Sequence, residues 1–157
     1  MAVTPDGKEL YVYCNDAGRF IYVVALDQPS FPVVAAIPLE GRKPRPVSIA
    51  FSADGRHAYI PRALDCDYNP EICLQPEKMS RIVVIDTARR EVERSIPVPE
   101  PLAPLESLAA SPDGRKLYVV AADFAGSRAG IVRFDLATDA LEAFAPLEGV
   151  SQLALAP

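Results

Sequence analysis

Three stretches of this chain follow one template. They are Val3-Thr-Pro-Asp-Gly-Lys-Glu-Leu-Tyr-Val12, Phe51-Ser-Ala-Asp-Gly-Arg-His-Ala-Tyr-Ile60 and Ala110-Ser-Pro-Asp-Gly-Arg-Lys-Leu-Tyr-Val119. Each runs through Asp-Gly, a basic residue, a variable one, an apolar one, Tyr and a β-branched residue. A second landmark follows, an apolar run closing on Asp27, Asp86 or Asp135, and then a third, Ile37-Pro38, Ile96-Pro97 or Ala145-Pro146. The step from Asp to Pro is 11 residues in all three units, and Asp27 to Gly55 equals Asp86 to Gly114 at 28. Short apolar runs that resembled each other by chance would not keep that register, so the chain is a repeat, and repeats constrain architecture before any other reading.

Each landmark has a physical meaning. Asp-Gly between two β-rich runs marks a tight hairpin, because Gly supplies the positive φ that the turn needs. The runs on either side, such as Ser48-Ile-Ala-Phe-Ser and His57-Ala-Tyr-Ile, predict the first and second strands of a unit. The apolar run closing on Asp predicts the third, and the alternating Glu91-Val-Glu-Arg-Ser-Ile96 the fourth. Proline at the end of that strand suits an outer edge, where no ladder donor is required. Four short strands in about 40–50 residues make one blade of a β-propeller. The fold class expected is therefore all-β, a β-propeller fragment of about three four-stranded antiparallel blades. Blade 1 is expected over about 1–46, blade 2 over about 47–105 and blade 3 over about 106–149, with 150–157 starting a further blade. A tyrosine recurs in every second strand, at Tyr11, Tyr59 and Tyr118. That recurrence predicts packing between adjacent blades rather than a ligand contact.

The motifs Ser111-Pro-Asp-Gly-Arg-Lys-Leu-Tyr-Val119, Ile82-Val-Val-Ile-Asp-Thr87 and Ser95-Ile-Pro-Val98 resemble the YVTN-repeat propellers, which include bacterial surface-layer and periplasmic proteins. The resemblance covers nearly the whole chain. It implies a seven-bladed ring, of which about three blades are present. Propellers with similar blades include lactonase-type enzymes and the propeller subunit of quinohaemoprotein amine dehydrogenases. An arc of three blades leaves two apolar blade faces uncovered, and such faces find a partner or aggregate. The chain is thus expected to be part of a longer one, or else to complete a ring by self-association.

The repeat leaves one feature unexplained. From Gly to the third-strand Asp the count is 20 residues in the first unit, 21 in the third and 31 in the second. The surplus lies in an insertion at about 62–80, between the second and third strands of blade 2, where loops on a rigid scaffold tend to carry function. Asp65, Asp67, Tyr68 and Glu71 are its candidate binding residues. Cys66 and Cys73 are the candidate disulfide, with free thiols and a metal site as the other readings. Asp65, Asp67 and Asn69 alternate as oxygen ligands do in calcium loops, but the glycine and bidentate Glu of such a loop are missing. Of the three cysteines, Cys14 reads as a small buried or half-buried thiol. A disulfide would favour an extracytoplasmic compartment, periplasmic or cell-surface.

Catalytic chemistry finds little footing. Nucleophilic catalysis usually needs a histidine base. The single His57 stands where the sister units carry Glu9 and Lys116, a solvent-facing strand position. Asp6, Asp54 and Asp113 belong to hairpin corners, and Asp27, Asp86 and Asp135 to turns. No phosphate loop, zinc-protease helix pattern or Cys-x-x-Cys-His haem attachment occurs, so no cofactor is expected, and a haem or quinone would belong to a partner. A net charge of −5 with no basic run beyond Arg89-Arg90 argues against nucleic acid. No apolar stretch is long enough to span a bilayer as a helix, and the N-terminus has no signal-peptide pattern. The expectation is a non-catalytic binding or scaffold module whose protein or small-molecule partner meets the channel mouth or the second-blade loop. A lactonase-type hydrolase fragment is the alternative.

Overall fold

A computed structural model of the chain describes residues 1–13, 20–39, 48–63, 80–99, 102–123 and 129–147. Twelve strands fall into three four-stranded antiparallel sheets. The first holds β1 (Ala2–Val3), β2 (Glu9–Tyr13), β3 (Phe20–Ala25) and β4 (Val33–Pro38) in chain order. The second holds β5 (Ala50–Phe51), β6 (His57–Ala63), β7 (Ser80–Asp86) and β8 (Glu91–Pro97), and the third β9 (Leu102–Ala110), β10 (Lys116–Asp123), β11 (Ala129–Asp135) and β12 (Ala140–Leu147). The fold is all-β, three consecutive blades of a propeller. The proline-marked strands β4, β8 and β12 each form an edge of their sheet, where a missing N–H costs no ladder bond.

The blades pack face to face, with the second between the other two. Successive residues of a strand point to opposite faces. Ala58, Ile60, Val83 and Ile85 therefore meet Tyr11, Ile21, Val23 and Ile37 of the first blade. From the other face Tyr59, Ile82, Val84 and Ile96 meet Leu117, Val119, Val132 and Phe134 of the third. The recurrent tyrosine does pack between blades. Tyr11 is 0 % and Tyr59 3 % exposed, and the Tyr11 ring meets Phe51 of the next blade edge-on at 5.1 Å. Tyr118 points away from the second blade and is only half-buried.

The hairpin corners repeat atom by atom. Gly7, Gly55 and Gly114 have φ of 73°, 70° and 70°, and their N–H groups each donate 2.9 Å to the carbonyl of Thr4, Ser52 or Ser111. Only the glycine has positive φ, so the corner is a longer loop around a standard turn and not the two-residue Asp-Gly form, in which Asp would share that conformation. The hydroxyls of Thr4, Ser52 and Ser111 donate to Asp6, Asp54 and Asp113 at 2.7, 2.6 and 2.6 Å. They also accept the N–H of Glu9, His57 and Lys116 at 3.0, 2.9 and 2.9 Å.

Blade 1 departs from the sequence landmarks at its third strand. His57 pairs with Asp86 and Lys116 with Asp135, but Glu9 pairs with Ala25, where β3 ends. Asp27 is thus two residues beyond the strand, in a longer turn, and the constant step from Asp to Pro does not mark equivalent backbone in this blade. In all three blades the turn leads to a residue of positive φ, Phe31, Arg90 or Asp139, at 46°, 57° and 55°. Three residues later the outer strand bulges, at Val34, Glu93 and Glu142, and the ladder slips by one residue.

Candidate functional site

The residues singled out for binding, Asp65, Asp67, Tyr68 and Glu71, and the pair Cys66 and Cys73, lie outside the described residues, as does Cys14. The structure does describe the two strand ends from which that segment leaves and to which it returns, Arg62-Ala63 on β6 and Ser80-Arg81 on β7. Arg62 and Arg81 are directly opposite in the ladder. The sign of this in the sequence is an arginine on each side of the insertion, Arg62 between Pro61 and Ala63 and Arg81 between Ser80 and Ile82.

A groove of about 570 Å³ runs along the seam between the corners of blades 1 and 2. Thr4, Asp6 and Glu9 line one wall, and Asp54, Thr87 and Arg90 the other. Its carboxylates are committed to structure. Asp6 and Asp54 accept the Thr4 and Ser52 hydroxyls, then the Lys8 and Arg56 N–H groups, and these bonds hold both carboxyls below the usual range. Glu9 accepts from Arg90 Nη2 at 2.6 Å, an ion pair that crosses the seam. Thr87 Oγ1 donates to the Gly55 carbonyl at 2.6 Å, tying the β7–β8 turn to its own corner.

The next seam has a counterpart. Arg94 on β8 grips Asp139 of blade 3 through Nε at 2.8 Å and Nη2 at 3.2 Å. That fork, bidentate to one carboxylate, raises the Arg94 pKa further above its usual value. Arg90 and Asp139 are the equivalent left-handed turn residues of their blades, and each reaches back to the blade before it. Of opposite charge, they find partners of opposite charge, Glu9 and Arg94. On β10 the position shared by Glu9 and His57 holds Lys116, which donates to Asp135 at 2.7 Å and to the bulge residue Glu142 at 2.5 Å. The first contact draws the Asp135 carboxyl down to about 2, helped by the N–H groups of Thr138 and Ala137.

His57 lies beside the bulge residue Glu93, Nε2 to Oε2 3.2 Å, in the same edge arrangement as Lys116 and Glu142. Its side chain is 34% exposed, half-buried where the substitution pattern suggested a solvent-facing position. The charges at these positions hold edge strands and seams together. Among the described residues no three His, Cys, Asp or Glu side chains lie close enough to share a metal ion.

Comparison with known proteins bears on the fold. No family model matches the chain, and no curated protein sequence does. Among solved structures it is similar to hydrazine synthase of Kuenenia stuttgartiensis, with 26% identity and a TM-score of 0.70 over 92% of this chain and 36% of that one. It is similar to U3-55K at 15% identity and TM-score 0.65, covering 92% and 37% of the two chains. It is also similar to a putative 6-phosphogluconolactonase of Bacteroides uniformis at 21% identity and TM-score 0.61, covering 92% and 38%. The first two are propeller-type folds. This chain spans between 36% and 38% of the length of these structures.

Proposed function

We propose that the chain is a non-catalytic binding and scaffold segment of a larger, YVTN-type propeller. The observation that carries this is the contrast among the three equivalent tyrosines. Tyr11 and Tyr59 are sealed by the following blade, while Tyr118 presents the same kind of surface with nothing packed on it among the described residues. Blade 1 has the converse face, where Val3 is exposed and Leu10, Val12, Tyr22 and Val24 are half-buried. Sheet faces of this composition are built to be covered. The fraction of the similar structures that the chain spans leaves room for the blades that would cover them. Sedimentation velocity on the 157-residue chain tests the reading. The expected result is concentration-dependent association, and a clean monomer across the micromolar range would remove its basis.

The alternative, part of a lactonase-type hydrolase, draws on the likeness to the Bacteroides uniformis protein, which at 21% identity supports the fold alone. Incubation with sugar lactones, followed by acid release, separates the two: turnover above the uncatalysed rate would favour the hydrolase.

A further inference from the structure

A second cavity, of about 390 Å³, lies where the end of β4 meets the outer strands of blade 2. Pro38 and Leu39 of blade 1 form one wall, and Val83 and Val92 make the opposite wall largely apolar. Into it face Arg62 and Arg81, which share one face of the sheet because they are paired across β6 and β7. Like charges at directly opposite ladder positions repel, and an apolar wall strengthens the repulsion. The other charged groups of the lining are already committed. Arg94 is held by Asp139, and Glu91 is 3.7 Å from Arg89. Arg62, 3 % exposed, is held by an interaction of its own. Arg81, half-buried, makes no hydrogen bond or ion pair among the described residues. Among the described residues, then, the Arg81 guanidinium has no paired carboxylate, and it stands beside a second guanidinium with the hydroxyl-bearing Ser95 on the cavity wall.

We propose that Arg81, backed by Arg62, forms a binding site for the oxyanion group, carboxylate or phosphate, of a small ligand. The planar fork of a guanidinium matches both groups. The cavity is at the small end of the roughly 300–1,000 Å³ common for ligand sites. An anion there would offset the repulsion between the two arginines. The apolar walls would take the ligand's carbon skeleton while the fork fixes its orientation. The site gives the binding reading above a ligand class and rests on that reading in placing the ligand at the base of the second-blade insertion. Sedimentation tests the scaffold and anion titration tests this site, so either can fail alone.

The test is calorimetric titration of the full chain with inorganic phosphate and, separately, with acetate, at ionic strength held constant with sodium chloride. At least one of the two is expected to bind saturably, and which one does so distinguishes a phosphate ligand from a carboxylate ligand. Arg81→Gln is expected to weaken that binding about 10- to 100-fold, the worth of a charge-assisted bond. Arg81→Lys should keep part of the affinity, since charge remains and the fork is lost, and it carries the test if the glutamine variant does not fold. Arg56→Gln, on an arginine 80% exposed and outside the cavity lining, should leave the affinity unchanged. No saturable heat with either anion would overturn the proposal. So would equal affinity in the Arg81 variants and the unmodified chain.

Discussion

At the scale of single residues, the acidic side chains of the corners and turns act as hydrogen-bond acceptors for backbone that would otherwise lack partners. Asp6, Asp54 and Asp113 each take a hydroxyl and an N–H across a hairpin corner, and Asp135 takes Lys116 together with the turn N–H groups. All four carboxyls are depressed in the fold, so the unfolded chain binds protons first as the pH falls. Their contribution is complete above the ordinary carboxylate value of 3.8 and is lost as the pH drops through the folded values, to about 2 for Asp135. Lys116 runs the other way. Raised above 10.5 by Asp135 and Glu142, it contributes fully below that pH and loses its contribution as the pH climbs through the folded value. Urea midpoints should therefore fall on the acid side of pH 3.8 and again on the alkaline side of 10.5. Asp135→Asn keeps the Oδ1 acceptor and removes the charge, so it should flatten part of the acid limb. An acid limb unchanged in that variant would show that Asp135 is not one of its sources.

At the scale of the strand and its turn, one device recurs that the sequence did not announce: a left-handed residue, then a bulge three positions later. A bulky non-glycine side chain at positive φ is strained by about 1–2 kcal/mol. Arg90 and Asp139 offset that strain by reaching back to Glu9 and Arg94. Phe31, 59 % exposed, has no such return among the described residues. Phe31→Gly should therefore raise stability by about 1 kcal/mol, after the extra entropy of glycine in the unfolded chain is allowed for. Arg90→Gly should give no net gain, because it also breaks a half-buried ion pair worth up to about 1 kcal/mol. Urea denaturation of the two variants side by side is the measurement, and equal shifts would show that the ion pair contributes nothing. These elements also mark how far the sequence could be read. Strands, corners and sheet order were legible, because Asp-Gly, the tyrosine and the alternating apolar residues are fixed by backbone conformation and burial. The two-residue extension after Ala25 was not, because Asp27 keeps the spacing of its counterparts while the backbone register does not. The bulges and seam ion pairs were hidden because equivalent positions carry unlike residues, Glu9, His57 and Lys116 among them. Complementarity to the neighbouring blade decides those positions, and each blade has a different neighbour. The proposed binding residues Asp65, Asp67, Tyr68 and Glu71 fall where the structure describes nothing.

At the scale of the whole molecule, the three blades are not interchangeable, because among the described residues only the middle one has both faces packed. Ile60, Ile82, Val84 and Ile85 of blade 2 are all 0 % exposed, whereas every residue of β12 is exposed. A charge placed on an internal face must be desolvated without a partner, at a cost of several kcal/mol. The same charge on a terminal face stays in water and removes the reason for association. Tyr59→Glu should therefore abolish the fold. Tyr118→Glu puts a carboxylate directly opposite Arg133 in the ladder and should be tolerated. Val12→Lys on the far face of blade 1 should be tolerated as well, because Val12 points away from the interface that its neighbour Tyr11 fills. Combined, Tyr118→Glu and Val12→Lys are expected to shift the light-scattering mass toward the monomer while β-rich circular dichroism is retained. If the double variant associates as strongly as the unmodified chain, the terminal faces are not what the molecule sticks by. If Tyr59→Glu folds normally, the packing of blade on blade is not what holds the stack together.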